Sequence, residues 1–187
     1  MKTYRAKIKS KSPYSQSRYH QTEHLDKEGD DAYERRTWRE RMHYDENGEV
    51  FIPPMSLKNC LAEAAKFLSV SIKGKGKATY TKHFEAGIMV TTPISLGIKV
   101  QDVPVEALFV PSNGRRGGST RVTRYFGRIP KWSGEFEINV LDETITKDVL
   151  ELHLCEAGSL IGIGRFRPRN NGYYGRFAVE SLEEVVS

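Results

Sequence analysis

Apolar and polar positions alternate at the start of the chain. Tyr4, Ala6 and Ile8 fall on one side of an extended segment, and Arg5, Lys7 and Lys9 on the other. Thr3 to Lys9 is therefore expected as a half-buried strand with a cationic outer face. The alternation lapses from Ser10 to Asn47, a polar excursion opened by Ser12-Pro13-Tyr14-Ser15. Within it, Asp31 to Met42 suits a short charged helix anchored by Tyr33, Trp38 and Met42. Asn47-Gly48 marks a tight turn, and Glu49 to Ile52 returns as a short strand. Leu57, Cys60, Leu61, Ala64, Ala65 and Leu68 then recur at helical spacing. Ser56 is the expected N-cap. Lys58 sits in the first turn, where a cation opposes the helix dipole but is useful if an anion docks.

Further on, Lys73-Gly74-Lys75-Gly76-Lys77 reads as a basic flexible loop. Ala86 to Thr92, Glu106 to Val110 and Arg121 to Ile129 read as strands, and Pro111 to Ser119 as a loop with turn signals at Asn113-Gly114 and Gly117-Gly118. Phe136, Ile138 and Val140 alternate with Glu135, Glu137 and Asn139 in a further strand. Thr146 caps a helix running to about Glu156, with Val149, Leu150, His153 and Leu154 as its apolar stripe and Gly158 as its stop. Leu160 to Phe166 and Phe177 to Leu182 complete the order as a strand pair. That order fits an α+β class: a ferredoxin-like (RRM-like) βαββαβ core, helices on one sheet face, and a polar insertion after the first strand. A single domain is expected over 1–187, with 10–49 as the insertion.

Composition narrows the class. The chain has 187 residues and is 38% hydrophobic and 28% charged, enough to bury a core without staples. It holds no apolar run long enough for a bilayer, and the basic start lacks a signal-peptide core. Cys60 and Cys155 lie in apolar helical contexts and read as buried thiols, which suits a reducing cytoplasm. With no Cys-x-x-Cys pair, a finger-type zinc site is not expected; no metal, other cofactor or membrane partner is expected either. Net charge is +5, but Arg18 to Glu49 carries a local −4, which leaves +9 on the rest. A basic body with an acidic insertion suits a polyanion on the body and a protein neighbour on the insertion.

The chemistry concentrates in Gly162 to Phe177. Gly162, Gly164, Gly172 and Gly175 permit close backbone approach. Arg165, Arg167, Arg169 and Arg176 offer planar donor forks for phosphate oxygens. Tyr173 and Tyr174 offer faces for stacking bases. No acidic residue interrupts the stretch. A nucleic-acid backbone clamp is preferred over a merely solvated hairpin. Arg115, Arg116, Arg121 and Arg124 extend the basic track, and Lys58 adds one contact.

Two stretches resemble a known family. Phe51-Ile52-Pro53-Pro54-Met55-Ser56-Leu57-Lys58-Asn59 resembles the Ile-Pro-Gly-Ser-Ser-Leu-Lys-Gly motif that opens the first core helix of the RAMP superfamily. The glycine-arginine stretch resembles the C-terminal glycine-rich loop of those proteins. RAMPs are RNA-binding proteins of CRISPR effector complexes, acting in antiviral defence. Here Pro54 and Asn59 replace glycines and Met55 a serine, which makes the first turn bulkier. Among RAMPs, the guide-RNA-binding backbone subunits are most similar in element order. The resemblance implies a cytoplasmic, non-catalytic subunit that grips guide RNA phosphates without sequence specificity, alongside copies of itself and other effector subunits. Gly97 to Ser119 would be a reduced thumb-like hairpin.

Two rivals stand beside that reading: a RAMP-type endoribonuclease processing guide RNA or cutting target RNA, and a single-strand DNA-binding protein of a mobile element. In some RAMP backbone subunits an aspartate of the insertion cuts RNA; Asp26, Asp30 and Asp31 lie in that region, and nothing in the sequence selects one. His20 and His24 are four apart, as a helical metal site requires, but no third ligand has a fixed spacing. His43 and His83 lack an identifiable partner, and His153 reads as a packed core histidine. Trp38 and Trp132 read as packing anchors.

Overall fold

The computed structural model describes residues 1–112 and 120–185. Arg115 and Arg116, with the two flanking turn signals, lie outside the described residues. Along the chain run β1 (Lys2–Ser10), α1 (Asp30–Thr37), a 3-10 turn (Trp38–Arg41), β2 (Glu49–Ile52), α2 (Pro54–Leu68), α3 (Thr81–Ala86) and β3 (Ile88–Val90). There follow β4 (Ile94–Lys99), β5 (Val105–Pro111), β6 (Arg121–Gly127), β7 (Ser133–Val140), α4 (Lys147–Glu156) and β8 (Phe177–Glu184).

The main sheet has the order β3-β7-β1-β8, and each neighbouring pair is antiparallel. Taking β1, α2, β3, β7, α4 and β8 in turn gives βαββαβ, with the last strand beside the first. This is the ferredoxin-like core. The segment holding α1 is the insertion after the first strand. Between β3 and β7 lies a second embellishment: β4 pairs with β2, and β5 pairs with β6 as a hairpin.

The alternation of β1 sends Tyr4, Ala6 and Ile8 inward, where they meet the Phe136, Ile138 and Val140 face of β7 across the ladder. Leu57, Leu61 and Ala64 of α2 and Leu150 and Leu154 of α4 join the same core. The other face of the sheet is exposed, and its cations have partners. Arg5 pairs with Glu137, Lys7 with Glu135 and Lys9 with Glu180, at 2.9, 3.4 and 3.9 Å. Glutamates of β7 and β8 thus turn the cationic face of β1 into a charge-balanced lattice. Such exposed pairs add little stability, but they cancel the positive field there.

Several local expectations are corrected. Pro53, with no side-chain bond, precedes α2, and Pro54 takes its first position, where a missing N–H costs nothing. Ser56 therefore sits inside the first turn and is not the cap. Thr146 does cap α4, accepting from the Val149 amide. Gly158 does not stop the helix, which runs on through a π turn, Ala157–Ile161. A Cβ at Gly158 would lie 2.3 Å from the Phe177 carbonyl, so this glycine serves the close packing of that turn on β8. Leu160 to Phe166 forms no strand, and β8 alone closes the core. Cys60 is buried as expected, whereas Cys155 is exposed. His153 is fully buried and packs on Phe84, ring centroids 4.4 Å apart.

Candidate nucleic-acid interface

The glycine-arginine stretch is a docked loop. Its backbone bonds to the segment that follows β1: the Arg165 amide donates to the Ser15 carbonyl at 2.8 Å, and the Gly175 amide to Pro13 at 2.7 Å. The loop also closes on itself, with the Ile163 amide on the Gly175 carbonyl at 3.1 Å. Gly175 has φ +70°, and a Cβ there would lie 1.8 Å from the Ile163 carbonyl oxygen. Only glycine fits such a position without displacement.

Three regions distant in sequence meet beside this loop. The insertion contributes Ser17, Arg18 and Arg41, the β5–β6 hairpin contributes Arg124 and Phe126, and the loop contributes Arg165 and Phe166. Together they line a run of three adjoining clefts of about 590, 510 and 390 Å³. Ser17 borders all three. Arg41 and Arg124 border the first two, and Arg165 the second and third.

Within this groove the arginines differ. The Arg41 guanidinium makes a two-bonded pair with the Glu34 carboxylate, at 2.5 and 2.7 Å, both side chains being only about a tenth exposed. It also donates to the Tyr125 carbonyl at 3.2 Å. Burial pushes the Glu34 carboxyl up, but bonding and charge from Arg41, with the charge of Arg124, outweigh it and leave the group below its usual range. Arg124 reaches Glu34 at 3.4 Å and the Ser112 carbonyl at 3.3 Å. Among the described residues Arg165 has no such partner. Its Nη1 is buried without a hydrogen bond. Its guanidinium lies 2.9 Å from the ring centre of Phe126 and 4.0 Å from that of Phe166. Burial, reinforced by the like charges of Arg41 and Arg124 and only partly offset by Glu106, brings it down to about 9. It stays protonated at neutral pH, desolvated and short of an anion.

The other described arginines named from the sequence have protein partners. Arg167 pairs with Glu63 of α2 at 2.5 Å, and Arg169 with the same carboxylate at 3.6 Å. Arg176 donates to the Ser159 carbonyl at 3.1 Å, and Arg121 to Phe109 at 3.4 Å. Lys58 donates to the Glu85 carbonyl at 2.7 Å. Tyr174 is buried, its phenol donating to Glu106, while Tyr173 is exposed. Arg165 and Arg124 thus line the groove, Arg167 reaches its far cleft, and Lys58, Arg121, Arg169 and Arg176 border none of the three clefts.

The insertion also supplies groove residues. His20, His24 and Asp30 line the largest cleft together with Tyr33. His20 and His24 are not on a helix; His24 stacks on the Tyr33 ring at 3.8 Å, and His20 lies 6.3 Å from it. Asp31 points elsewhere. It pairs with Arg35 and accepts the Tyr125 hydroxyl at 3.0 Å, and those bonds hold it below the usual range. Asp26 is exposed and borders none of the three clefts. Among the described residues, no group of three or more His, Cys, Asp or Glu side chains is placed to hold a metal ion.

Sequence reading missed two features. Arg41 is one of six basic residues in an acid-rich segment, and nothing local marks it; the partner that fixes it, Glu34, lies seven residues away. His83 does have a partner: its Nδ1 lies 2.5 Å from Asp142, across the turn after β7. That bond and the Thr144 amide hold the Asp142 carboxyl down to about 2.

The fold and groove together define an α+β protein with a ferredoxin-like core and a basic cleft between its insertion, hairpin and glycine-rich loop. The fold is shared with Cmr6 from Pyrococcus furiosus, whose crystal structure superposes with a TM-score of 0.50 over 94% of this chain and 97% of that one, at 11% identity. No family model matches the chain, and no curated protein matches it in sequence. No helix among the described residues is long and apolar enough to cross a membrane.

Proposed function

We propose that this protein is a CRISPR-associated RNA-binding protein of RAMP-like fold, and that the groove around Arg165 holds the phosphate backbone of a guide-type RNA. The observation that carries the reading is the state of Arg165: a desolvated guanidinium with an unbonded nitrogen, beside two further arginines and one carboxylate. An anion entering there gains a charge-assisted hydrogen bond that the free protein leaves unmade. Arg124, Arg165 and the exposed Arg18 follow the groove, and Tyr173 offers a face outside it. The RAMP-like motifs at Phe51 to Asn59 and Gly162 to Phe177 support the same assignment. In this reading the protein is a backbone subunit, the β5–β6 hairpin is its thumb-like element, and copies of itself and other subunits are its neighbours along the RNA.

The test is binding of a labelled oligoribonucleotide across a salt series. For a single strand, log affinity falls with log salt at a slope of about −0.7 per phosphate neutralised. If all nine cations named from the sequence gripped phosphates, the slope would be about −6. With Lys58, Arg121, Arg167, Arg169 and Arg176 held by protein partners, four cations remain and it should be about −3 per bound copy. A slope near zero removes the groove from RNA binding. A DNA strand of the same sequence, and a gel of the RNA after incubation with and without magnesium, separate the DNA-binding and nuclease rivals.

A further inference from the structure

We infer that the cleft between the insertion and β6 takes one unstacked guanine base of the bound strand, read by the Asp30 carboxylate. The inference rests on the RNA-binding reading above and adds a base preference to it. At about 590 Å³ the cleft is of the size that holds a small-molecule ligand. Its lining includes Arg41 and Arg124, which suit the phosphate, and the rings of Tyr19, His20, His24 and Tyr33. Tyr33 and His24 stack at 3.8 Å with only 7° between their planes, and the Tyr33 hydroxyl donates to the Thr22 carbonyl at 2.7 Å, so the platform is fixed. Tyr19 is 81% exposed and has no ring partner among the described residues. Sequence-specific recognition of single-stranded RNA works on such terms: an aromatic face stacks the base, and polar groups read its edge.

The reading group here is an acceptor. Asp30 lines the cleft and accepts no hydrogen bond from any described residue, unlike its neighbour Asp31. An ionised carboxylate has two acceptor oxygens and no donor. Guanine presents two adjacent donors on its Watson–Crick edge, the N1 imino and the N2 amino group, which match both oxygens. Adenine and cytosine set an acceptor nitrogen beside their amino group, which the carboxylate repels. Uracil sets its single imino between two carbonyls. The chemistry therefore selects guanine.

The test is fluorescence anisotropy with oligouridylate strands of one length, each carrying one guanine, adenine or cytosine at its centre, or none. The guanine strand should bind about tenfold more tightly than the others, the scale of one well-placed pair of bonds to a base edge. Asp30→Asn should bring its affinity down to that of plain oligouridylate on the wild type, while the thermal melt shows the fold intact. Guanosine 5′-monophosphate should compete for the guanine strand better than the other three nucleotides. Equal affinity for all four strands overturns the guanine pocket and leaves the RNA groove standing. A preference for adenine or cytosine overturns it as well. Failure to bind any of the strands overturns both readings at once.

Discussion

Replacing Arg165 by methionine should move stability and RNA affinity in opposite directions. Methionine keeps the length and packing of the stem between Phe126 and Phe166 and removes the charge. In the free protein that charge is costly, since the guanidinium is held at about 9 by burial and by Arg41 and Arg124. The drop from the ordinary guanidinium value to about 9 corresponds to a ceiling of about 5 kcal/mol at 1.36 kcal/mol per unit; solvent screening of the open groove reduces this to about 1 kcal/mol. For a chain of this size, a gain of about 1 kcal/mol raises Tm by roughly 2–4 °C. RNA affinity should instead fall by about 10–100-fold, the loss of a hydrogen bond to a charged group. The salt slope should become shallower by about 0.7. Differential scanning fluorimetry and a salt-titrated anisotropy series read the two quantities on one preparation. A variant that melts lower than wild type and binds RNA equally well would refute the reasoning, because Arg165 would then be a packing residue and not a waiting cation.

Three further outcomes follow. Glu34→Gln leaves Arg41 without its buried carboxylate and should cost about 3 kcal/mol in urea unfolding; added RNA should raise its Tm more than that of wild type, since bound phosphate supplies the missing charge. Gly175→Ala should cost about 2 kcal/mol or more by the same measurement, because its φ is +70° and the new Cβ meets the Ile163 carbonyl. Asp142→Asn should lower stability by about 1 kcal/mol at pH 7. The Asp142 carboxyl sits at about 2 against an ordinary 3.8, so its contribution is complete above pH 4 and is lost as pH falls through 2. The gap between wild type and variant, followed by chemical denaturation, should narrow over that window.

The ferredoxin-like order was legible because each core element carries its own period. Tyr4, Ala6 and Ile8 alternate, as do Phe136, Ile138 and Val140, and the α2 apolar positions recur at helical spacing; these residues, except the half-buried Leu68, are buried as that patterning requires. What stayed hidden depends on contacts between distant segments. The cationic face of β1 looked available because the glutamates that cancel it stand on β7 and β8, over a hundred residues away. Leu160 to Phe166 looked like a strand from its apolar content, yet its backbone bonds go to Ser15 and Gly175, leaving no ladder to join. Arg41 was invisible for the same reason. Its importance lies in where the insertion folds back over β6, which no local period encodes.

The glycine-rich loop was legible as chemistry but not as geometry. Counting its arginines suggests a uniformly cationic strap, whereas the fold divides them by role. Glu63 of α2 takes Arg167 and Arg169, and those pairs, with the backbone bonds to Pro13 and Ser15, fix the loop on the core. Arg165, in the same loop, shares a cleft with Arg41 and Arg124 and feels their like charge. A loop held this way loses little entropy when a ligand arrives, so more of each new contact appears as affinity. The anchoring pairs and the unpaired cation are therefore two halves of one arrangement. In the proposed reading, Glu63 and the glycines hold Arg165 in a position that is costly in the free protein and that a bound phosphate would relieve.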